Sequence, residues 1–343
     1  MSPNSPSGHG PRPSGWGKPN RYGCGPSSLT GTPAVLLTRS RLLCQSLAPL
    51  VRALGTEDAG VTVATAHSWL ARWYGEVAPR TDDGWYDWPA FYERAALREA
   101  PGALSLVVDE GQDLPPAFYR LCRLLGAEVT VFADECQRLT DTRSTLGEIE
   151  RGLGACARHG LGGNHRNTRQ IAELAARFHT GAISPALPGR IGPRPRLHRL
   201  TGPGAVTDLL VSLARERPGD SIGVVVNSTR TQFELITLLE RRAPELRPQM
   251  YTAQAAHGRY RTLDLSRPGP VVVHRAGAKG LGFDTVVVPD TETDAAADPT
   301  SASLRMAYYV LTTRARRNLH LAFTGTTEPP TLADIPGDVL VRG

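Results

Sequence analysis

The sequence predicts an α/β protein of two lobes, each a parallel sheet with helices on both faces. Runs that are apolar throughout alternate with stretches whose apolar residues recur at helical spacing, the pattern of strands buried on both sides. Three of these runs end on Thr38, Asp109 and Asp134, at the strand edge where such sheets take their ligands. At 343 residues the chain is long enough for two domains, each with its own core.

In order along the chain, residues 1–32 hold many Gly, Pro and Ser and little apolar periodicity, and read as mostly without fixed structure. Ala34-Val35-Leu36-Leu37 is the first buried strand. Leu42, Leu43, Leu47, Leu50, Val51 and Leu54 then follow at helical spacing, with Gly55 as the stop. Val61-Thr62-Val63 is a second strand and leads into a helix through His67 and Trp69. The stretch 73–88 is aromatic and loop-like, and a helix follows over 91–99. Residues 104–108 form a strand ending on Asp109-Glu110, and 129–133 another ending on Asp134.

A second unit is expected from about residue 155. A helix over 170–178 precedes a proline-rich connector at 184–195. Helices at 205–214, 233–241 and 303–313 then alternate with strands at 222–226, 271–274, 285–288 and 319–323. No fixed-period repeat is present. The expected division is 1–32, then a first lobe at 33–154 and a second at 155–343.

No apolar run approaches the roughly 20 residues that span a bilayer, and no apolar segment of a secretory signal opens the chain. The five cysteines are scattered and never spaced C-x-x-C, which fits a reduced cytoplasmic setting rather than a disulfide framework or zinc ribbon. The nine histidines show no metal-ligand spacing. A formal net charge of +6 permits a polyanionic partner without establishing one.

The strongest local signal is Val107-Val108-Asp109-Glu110-Gly111-Gln112-Asp113. A strand ending on paired carboxylates suits metal-assisted phosphoryl transfer: one acid holds Mg²⁺ and the next orients and deprotonates the attacking water. Asp-Glu alone reads more readily as a solvated acidic turn, and Gln112 and Asp113 at fixed offsets weigh against that.

With these residues the chain resembles the UvrD/Rep-like superfamily 1 helicases, whose second motif is D-E-x-Q-D. Further segments resemble that family's motifs in the same order. Asp134 and Gln137 stand in a strand-end segment similar to the third motif, and the resemblance makes Gln137 a sensor of the γ-phosphate. Asn164-His165-Arg166-Asn167-Thr168 is similar to N-Y-R-S/T, which implies a γ-phosphate contact for Arg166. Ala278-Lys279-Gly280-Leu281-Gly282-Phe283-Asp284, preceded by His274, is similar to A-K-G-L-E-F-D. Tyr308 to Arg316 is similar to Y-V-A-L-T-R-A-R and implies that Arg314 is the arginine finger. Upstream, Thr38 and Arg39, and Thr65, His67 and Trp69, resemble segments that touch the DNA backbone, where contacts position a strand without reading its sequence. For Trp69, core packing and a base contact are both open. Trp73, Trp85 and Trp88 read as packing residues.

The resemblance fails at the N-terminus. The family's G-x-x-G-x-G-K-T loop corresponds to Arg12-Pro13-Ser14-Gly15-Trp16-Gly17-Lys18-Pro19. Gly15, Gly17 and Lys18 stand where an ATP-binding loop needs them. Pro19, however, has neither the hydroxyl for Mg²⁺ nor the N–H for phosphate. Glycines and a proline then interrupt the helix that should follow. The segment is either a tail with an accidental G-x-G-K, or a true loop whose helix was lost, for example by a reading-frame slip. Gly282 also replaces the family's Glu. The short spans from His67 to Asp109 and from Arg166 to His274 leave no room for the large inserted subdomains.

The resemblance therefore implies two RecA-like (P-loop NTPase) lobes with ATP and Mg²⁺ between them, single-stranded or partly duplex DNA across the top, and 3′-to-5′ movement. Asp109 would hold the metal, and Glu110, Gln137, Arg166 and Arg314 would act in hydrolysis. Lys18, Asp134 and Gly280 would contact nucleotide, and His274 and Lys279 would contact DNA. The alternative is a catalytically silent helicase-like module that binds DNA or a protein partner in a repair or defence complex.

Overall fold

A computed structural model describes residues 21–24, 34–55, 60–82, 84–97, 104–134, 144–154, 156–161, 164–180, 186–253 and 260–343. It contains two α/β sheets, one of six strands and one of seven, as the alternating apolar runs predict.

The first sheet holds β1 (Arg21–Cys24), β2 (Ala34–Thr38), β3 (Thr62–Thr65), β4 (Ser105–Asp109), β5 (Glu128–Ala133) and β6 (Arg158–Leu161), in the order β3-β2-β4-β5-β1-β6. β2, β3, β4 and β5 run parallel. Consecutive residues of β4 face opposite sides of the sheet. Leu106 and Val108 enter a core with Phe91, Phe118, Tyr119 and Leu121, whereas Val107 packs against the smaller cluster of Leu36, Leu43, Leu47 and Val51. The first face is covered by α2 (Ala66–Tyr74), α3 (Trp88–Leu97), α4 (Pro116–Leu124) and α5 (Leu146–Leu153), the second by α1 (Arg41–Ala53).

Three features depart from the sequence expectation. β1 lies inside the segment expected to lack regular structure and runs antiparallel to both β5 and β6, so this sheet is not wholly parallel. β6 belongs to the first sheet although the second unit was expected to begin before it. Helix α5 was not anticipated. Its start is set by a capping box in which Thr145 accepts from the Glu148 N–H and Glu148 accepts from Thr145.

The second sheet is parallel throughout, in the order β13-β7-β12-β11-β8-β10-β9. Its strands are β7 (Arg196–Leu200), β8 (Ser221–Val226), β9 (Gln249–Tyr251), β10 (Gly269–His274), β11 (Phe283–Val288), β12 (Ala315–Thr324) and β13 (Val341–Arg342). The central strands are continuous apolar runs, Val224 to Val226, Val271 to Val273 and Val286 to Val288, each at most 1% exposed. Helices α7 (Pro203–Glu216) and α8 (Thr229–Arg242) cover one face; α6 (Arg169–Ala176) and α10 (Ala302–Thr312) cover the other. The short helices α9 (Arg275–Ala278) and α11 (Pro330–Ala333) complete the lobe.

Helix α1 joins the lobes. Leu43, Leu47 and Val51 pack on the first sheet, while Leu42 is buried in the core of the second, a burial worth about 1.5–3 kcal/mol. From the same helix, the Gln45 amide donates to the Arg261 carbonyl at 2.9 Å and accepts from the Leu263 N–H at 3.2 Å. Gly280, at φ +81°, lets the second lobe come close: a β-carbon there would lie 2.7 Å from Leu43 Cδ2. Among the described residues no helix is long and apolar enough to cross a membrane.

Candidate functional site

The carboxyl end of β4 is built around buried polar groups. Asp109 and Glu110 are each 2% exposed. Glu110 takes φ 56° and ψ 46°, a left-handed conformation that a non-glycine residue keeps only where its surroundings enforce it. Gly111 follows because a side chain there would collide with Val131 and with the Tyr119 hydroxyl, which donates to the Gly111 carbonyl at 2.5 Å.

The Gln112 amide ties the two strand ends together. Its Nε2 donates to Glu110 Oε2 at 2.7 Å, and its Oε1 accepts from the Asp134 N–H at 3.0 Å. The Glu110 N–H donates to Asp109 Oδ1 at 3.1 Å. Asp109, Glu110, Gln112 and Asp134 thus form one connected group at the carboxyl edges of β4 and β5. Asp113 turns to the other lobe and accepts from Lys279 Nζ.

A cavity of about 590 Å³ lies between the lobes. The first lobe lines it with Asp109 and the Leu43–Arg52 side of α1; the second lines it with Arg166, the 262–266 segment, Gly280 to Phe283, and Arg316. Of the residues expected to meet nucleotide, the described lining therefore includes Asp109, Arg166 and Gly280. Glu110, Asp134 and Arg314 lie outside it.

Arg166 sits on a loop fixed by two asparagines. Asn164 Oδ1 accepts from the N–H groups of Arg166 and Asn167, each at 3.1 Å. Asn167 Nδ2 donates to the Thr313 carbonyl at 3.2 Å and to the Ala315 carbonyl at 2.5 Å. The Arg166 loop is thereby docked on both sides of Arg314.

Arg314, which the resemblance makes the arginine finger, is held by groups of its own lobe. Its guanidinium is 1% exposed and donates to the Val310 carbonyl at 2.9 Å, the Leu281 carbonyl at 3.2 Å and the Thr313 hydroxyl at 3.2 Å. A planar donor fork satisfied this way organises the end of α10 and the turn after Gly280. Two residues on, Arg316 faces the cavity instead.

The expected nucleic-acid residues divide in the same way. Thr38 is fully buried, and its hydroxyl accepts from the Ser40 N–H at 3.4 Å. Thr65 caps α2, accepting from the Ser68 N–H at 3.1 Å. His274 caps α9: Nδ1 accepts from the Ala276 N–H at 3.2 Å, and Nε2 meets the Asn227 carbonyl at 2.7 Å. Because a carbonyl only accepts and an amide N–H only donates, these partners select the neutral tautomer with its proton on Nε2.

Two residues of this group are largely buried. Trp69 is 8% exposed and packs edge-on against Phe118 at 6.2 Å in the first core, so its ring is not offered to a base. Lys279 is 5% exposed and engaged with Asp113, and so bridges the lobes.

Arg39 and His67 stay at the carboxyl edge of the first sheet, beside Trp85. The Trp85 ring stacks on His67 at 4.4 Å, with the Arg39 guanidinium 5.5 Å from its centre. Burial, foremost, and the Arg39 and Arg80 charges lower the His67 pKa, against an opposing hydrogen bond with the Gly84 backbone.

Gly15, Gly17, Lys18 and Gln137 lie outside the described residues. Among those described, no three His, Cys, Asp or Glu side chains gather as a metal cage. A Mg²⁺ ion held chiefly by phosphate and water needs only one or two carboxylates. Asp109, at a strand end on the cavity wall, is a donor of that kind.

Sequence reasoning missed Asn167, Arg190, Gln45 and Arg316. Only Arg316 left a signal, as the second arginine of Thr313-Arg314-Ala315-Arg316.

No protein-family model matches the chain, and no curated protein matches it. Among solved structures it is similar to the C-terminal domain of a possible DNA helicase from Lactobacillus plantarum WCFS1. That match has 22% identity and a TM-score of 0.39, covering 52% of this chain and 99% of that one. It is also similar to S. cerevisiae Dbp5 bound to RNA and ADP BeF3, with 14% identity and a TM-score of 0.47, over 91% of this chain and 78% of that one. The PRRSV helicase matches at 14% identity and a TM-score of 0.41, over 86% of this chain and 48% of that one.

Proposed function

We propose that this chain is a helicase-type ATPase of two RecA-like lobes, related to the UvrD/Rep-like helicases, that couples ATP hydrolysis to movement on single-stranded DNA. One observation carries the reading: Asp109 of the first lobe and Arg166 of the second line the same inter-lobe cavity of about 590 Å³. An acid and a permanent cation facing across a cleft is the arrangement that stabilises a phosphoryl group in transfer, and it ties that stabilisation to lobe closure.

In this reading Asp109 would hold Mg²⁺, which neutralises charge on the phosphates when bound. Glu110, oriented by Gln112, accepts the proton of the attacking water. Arg166 meets the γ-phosphate from the second lobe, and Gly280 gives nucleotide close access to the backbone. Arg314 supports this wall from behind. Lys18 and Gln137 belong to the same reading by resemblance alone. Arg39 and His67, backed by the buried Trp85, offer a strand one charge and one partly exposed ring.

The test is ATP turnover by the purified chain with Mg²⁺, with and without single-stranded DNA, beside Glu110→Gln. Stimulation by DNA and a loss of about 100-fold or more in the variant are expected. Turnover equal in wild type and variant, and indifferent to DNA, would sink the proposal.

A second reading is a catalytically silent module that holds DNA or a protein partner. Pro19 in the phosphate loop and the enclosed guanidinium of Arg314 favour it. The same assay decides: DNA binding without turnover selects the silent module.

A further inference from the structure

We propose that residues 261–264 form a strap that latches the two lobes together beside the cavity, with Gln45 as its catch on the first lobe and Gln249 as its anchor on the second. The latch needs no assumption about what the cavity takes.

The strap runs between β9 and β10 of the second lobe, and two glutamines claim its peptide groups. The Gln45 side chain, from α1, donates to the Arg261 carbonyl at 2.9 Å and accepts from the Leu263 N–H at 3.2 Å. The Gln249 side chain, from β9, donates to the Asp264 carbonyl at 2.9 Å and accepts from the Asp264 N–H at 2.8 Å. A carboxamide offers the same donor and acceptor groups as a peptide unit. Each glutamine therefore stands in for a neighbouring strand, one serving residues 261 and 263 and the other residue 264, the alternation of a strand paired on both edges.

The two ends differ in what else holds them. On the Gln249 side the strap is part of its own lobe: Leu263 is buried in that core, and Arg261 Nη1 donates to the Ala253 carbonyl at 2.9 Å. Gln45 reaches across the lobe boundary and is half-buried, so water can take over its two bonds when they part. Leu42, three residues earlier on the same face of α1, is 1% exposed and lies in the second core. Separating the lobes must withdraw Leu42 and break the Gln45 pair together. Gln45 and Leu263 both line the cavity, so the catch sets how readily that cavity widens. Unlike the Lys279–Asp113 ion pair, the catch carries no charge, and neither salt nor pH weakens it directly.

Hydroxyl-radical footprinting of the full chain, with no nucleotide or DNA added, reads the latch. Oxidation of Leu42 reports lobe separation, and Leu106, 0% exposed in the first core, reports folding. Gln45→Met keeps the bulk and removes both bonds, and should oxidise Leu42 about 10-fold faster, the loss of two net hydrogen bonds. Gln45→Glu, which at neutral pH turns a carboxylate oxygen on the Arg261 carbonyl, should expose Leu42 as well. Gln249→Met should speed deuterium exchange at the Asp264 amide and leave Leu42 at the wild-type rate, because the buried Leu263 still ties the strap to its lobe. Leu106 should stay shielded in all three.

Wild-type oxidation of Leu42 in folded Gln45→Met or Gln45→Glu overturns the latch. Equal exposure of Leu42 in Gln45→Met and Gln249→Met overturns the division into catch and anchor. ATP turnover is read separately: a chain that hydrolyses nothing keeps the latch if Leu42 answers to Gln45, and a working ATPase in which Leu42 ignores Gln45 loses it.

Discussion

Lys279 of the second lobe donates to the Asp113 carboxylate of the first, and both side chains are nearly enclosed, at 6% and 10% exposure. Removing one partner takes this ion pair from the other, which costs about 3–5 kcal/mol when the pair is buried. Lys279→Met should therefore lower the urea midpoint strongly. Lys279→Met combined with Asp113→Leu should recover most of that loss, because neither charge then remains. If the double variant is as unstable as the sum of the two single ones, the pair is not coupled.

Gln112 fills both hydrogen-bonding directions of its amide, one toward Glu110 and one toward Asp134. Gln112→Met keeps the volume and removes both bonds, each costing about 1–3 kcal/mol when a buried partner is abandoned. Urea unfolding should show that loss. ATP turnover should fall with it, since Glu110 loses the group that orients its carboxylate. A variant of wild-type stability would mean that Gln112 holds neither neighbour.

The contrast between β4 and β6 shows what the sequence could reveal. β4 is an apolar run closed by an acid, and its place, buried faces and chemistry all follow from that pattern. β6 reads Arg-His-Gly-Leu, with exposed Arg158, His159 and Gly160. It is a strand only because β1 pairs with it, and pairing is not written in local propensity. The site divides along the same line. Asp109, Glu110 and Arg166 announce themselves by residue type and neighbours. The partner of Lys279 lies 166 residues away, and Arg190 matters through two carbonyls that no side-chain pattern encodes. Trp69 is the converse case: its sequence neighbourhood suits a strand contact, and tertiary packing against Phe118 decides otherwise.

The second lobe carries an acid-sensitive pair. His198 Nε2 and His320 Nδ1 lie 3.0 Å apart between β7 and β12, so one proton serves both. Burial, foremost, with His198, Arg196 and Arg217, lowers the His320 pKa from 6.5 to about 4. The unfolded chain thus takes up the proton first, and this contribution to stability, full above pH 6.5, is lost as pH falls toward 4. Asp290 acts in the opposite sense. Burial, foremost, raises its pKa from 3.8 to about 6, so its contribution is full below 3.8 and lost as pH rises through 6. The two are separated by subtraction. The stability of wild type minus that of His320→Gln should fall steadily from pH 7 to pH 4; parallel curves would show that His320 does not titrate as argued.

Arg39 and His67 flank the same Trp85 ring but should affect a DNA strand differently. Burial is the main force lowering the His67 pKa, so near neutral pH it meets a strand as an uncharged ring. Arg39 is always charged. For a single strand, each phosphate neutralised by a protein cation adds about 0.7 to the steepness of log affinity against log salt. Arg39→Gln should therefore weaken binding to an oligothymidylate and flatten that slope by the share of one phosphate. His67→Ala should weaken binding with the slope intact. Trp69→Phe, a change in the core, should shift the unfolding midpoint and leave the slope alone. A slope that Arg39→Gln fails to change, measured from about 50 to 200 mM salt, would remove this edge of the first sheet from the strand's path.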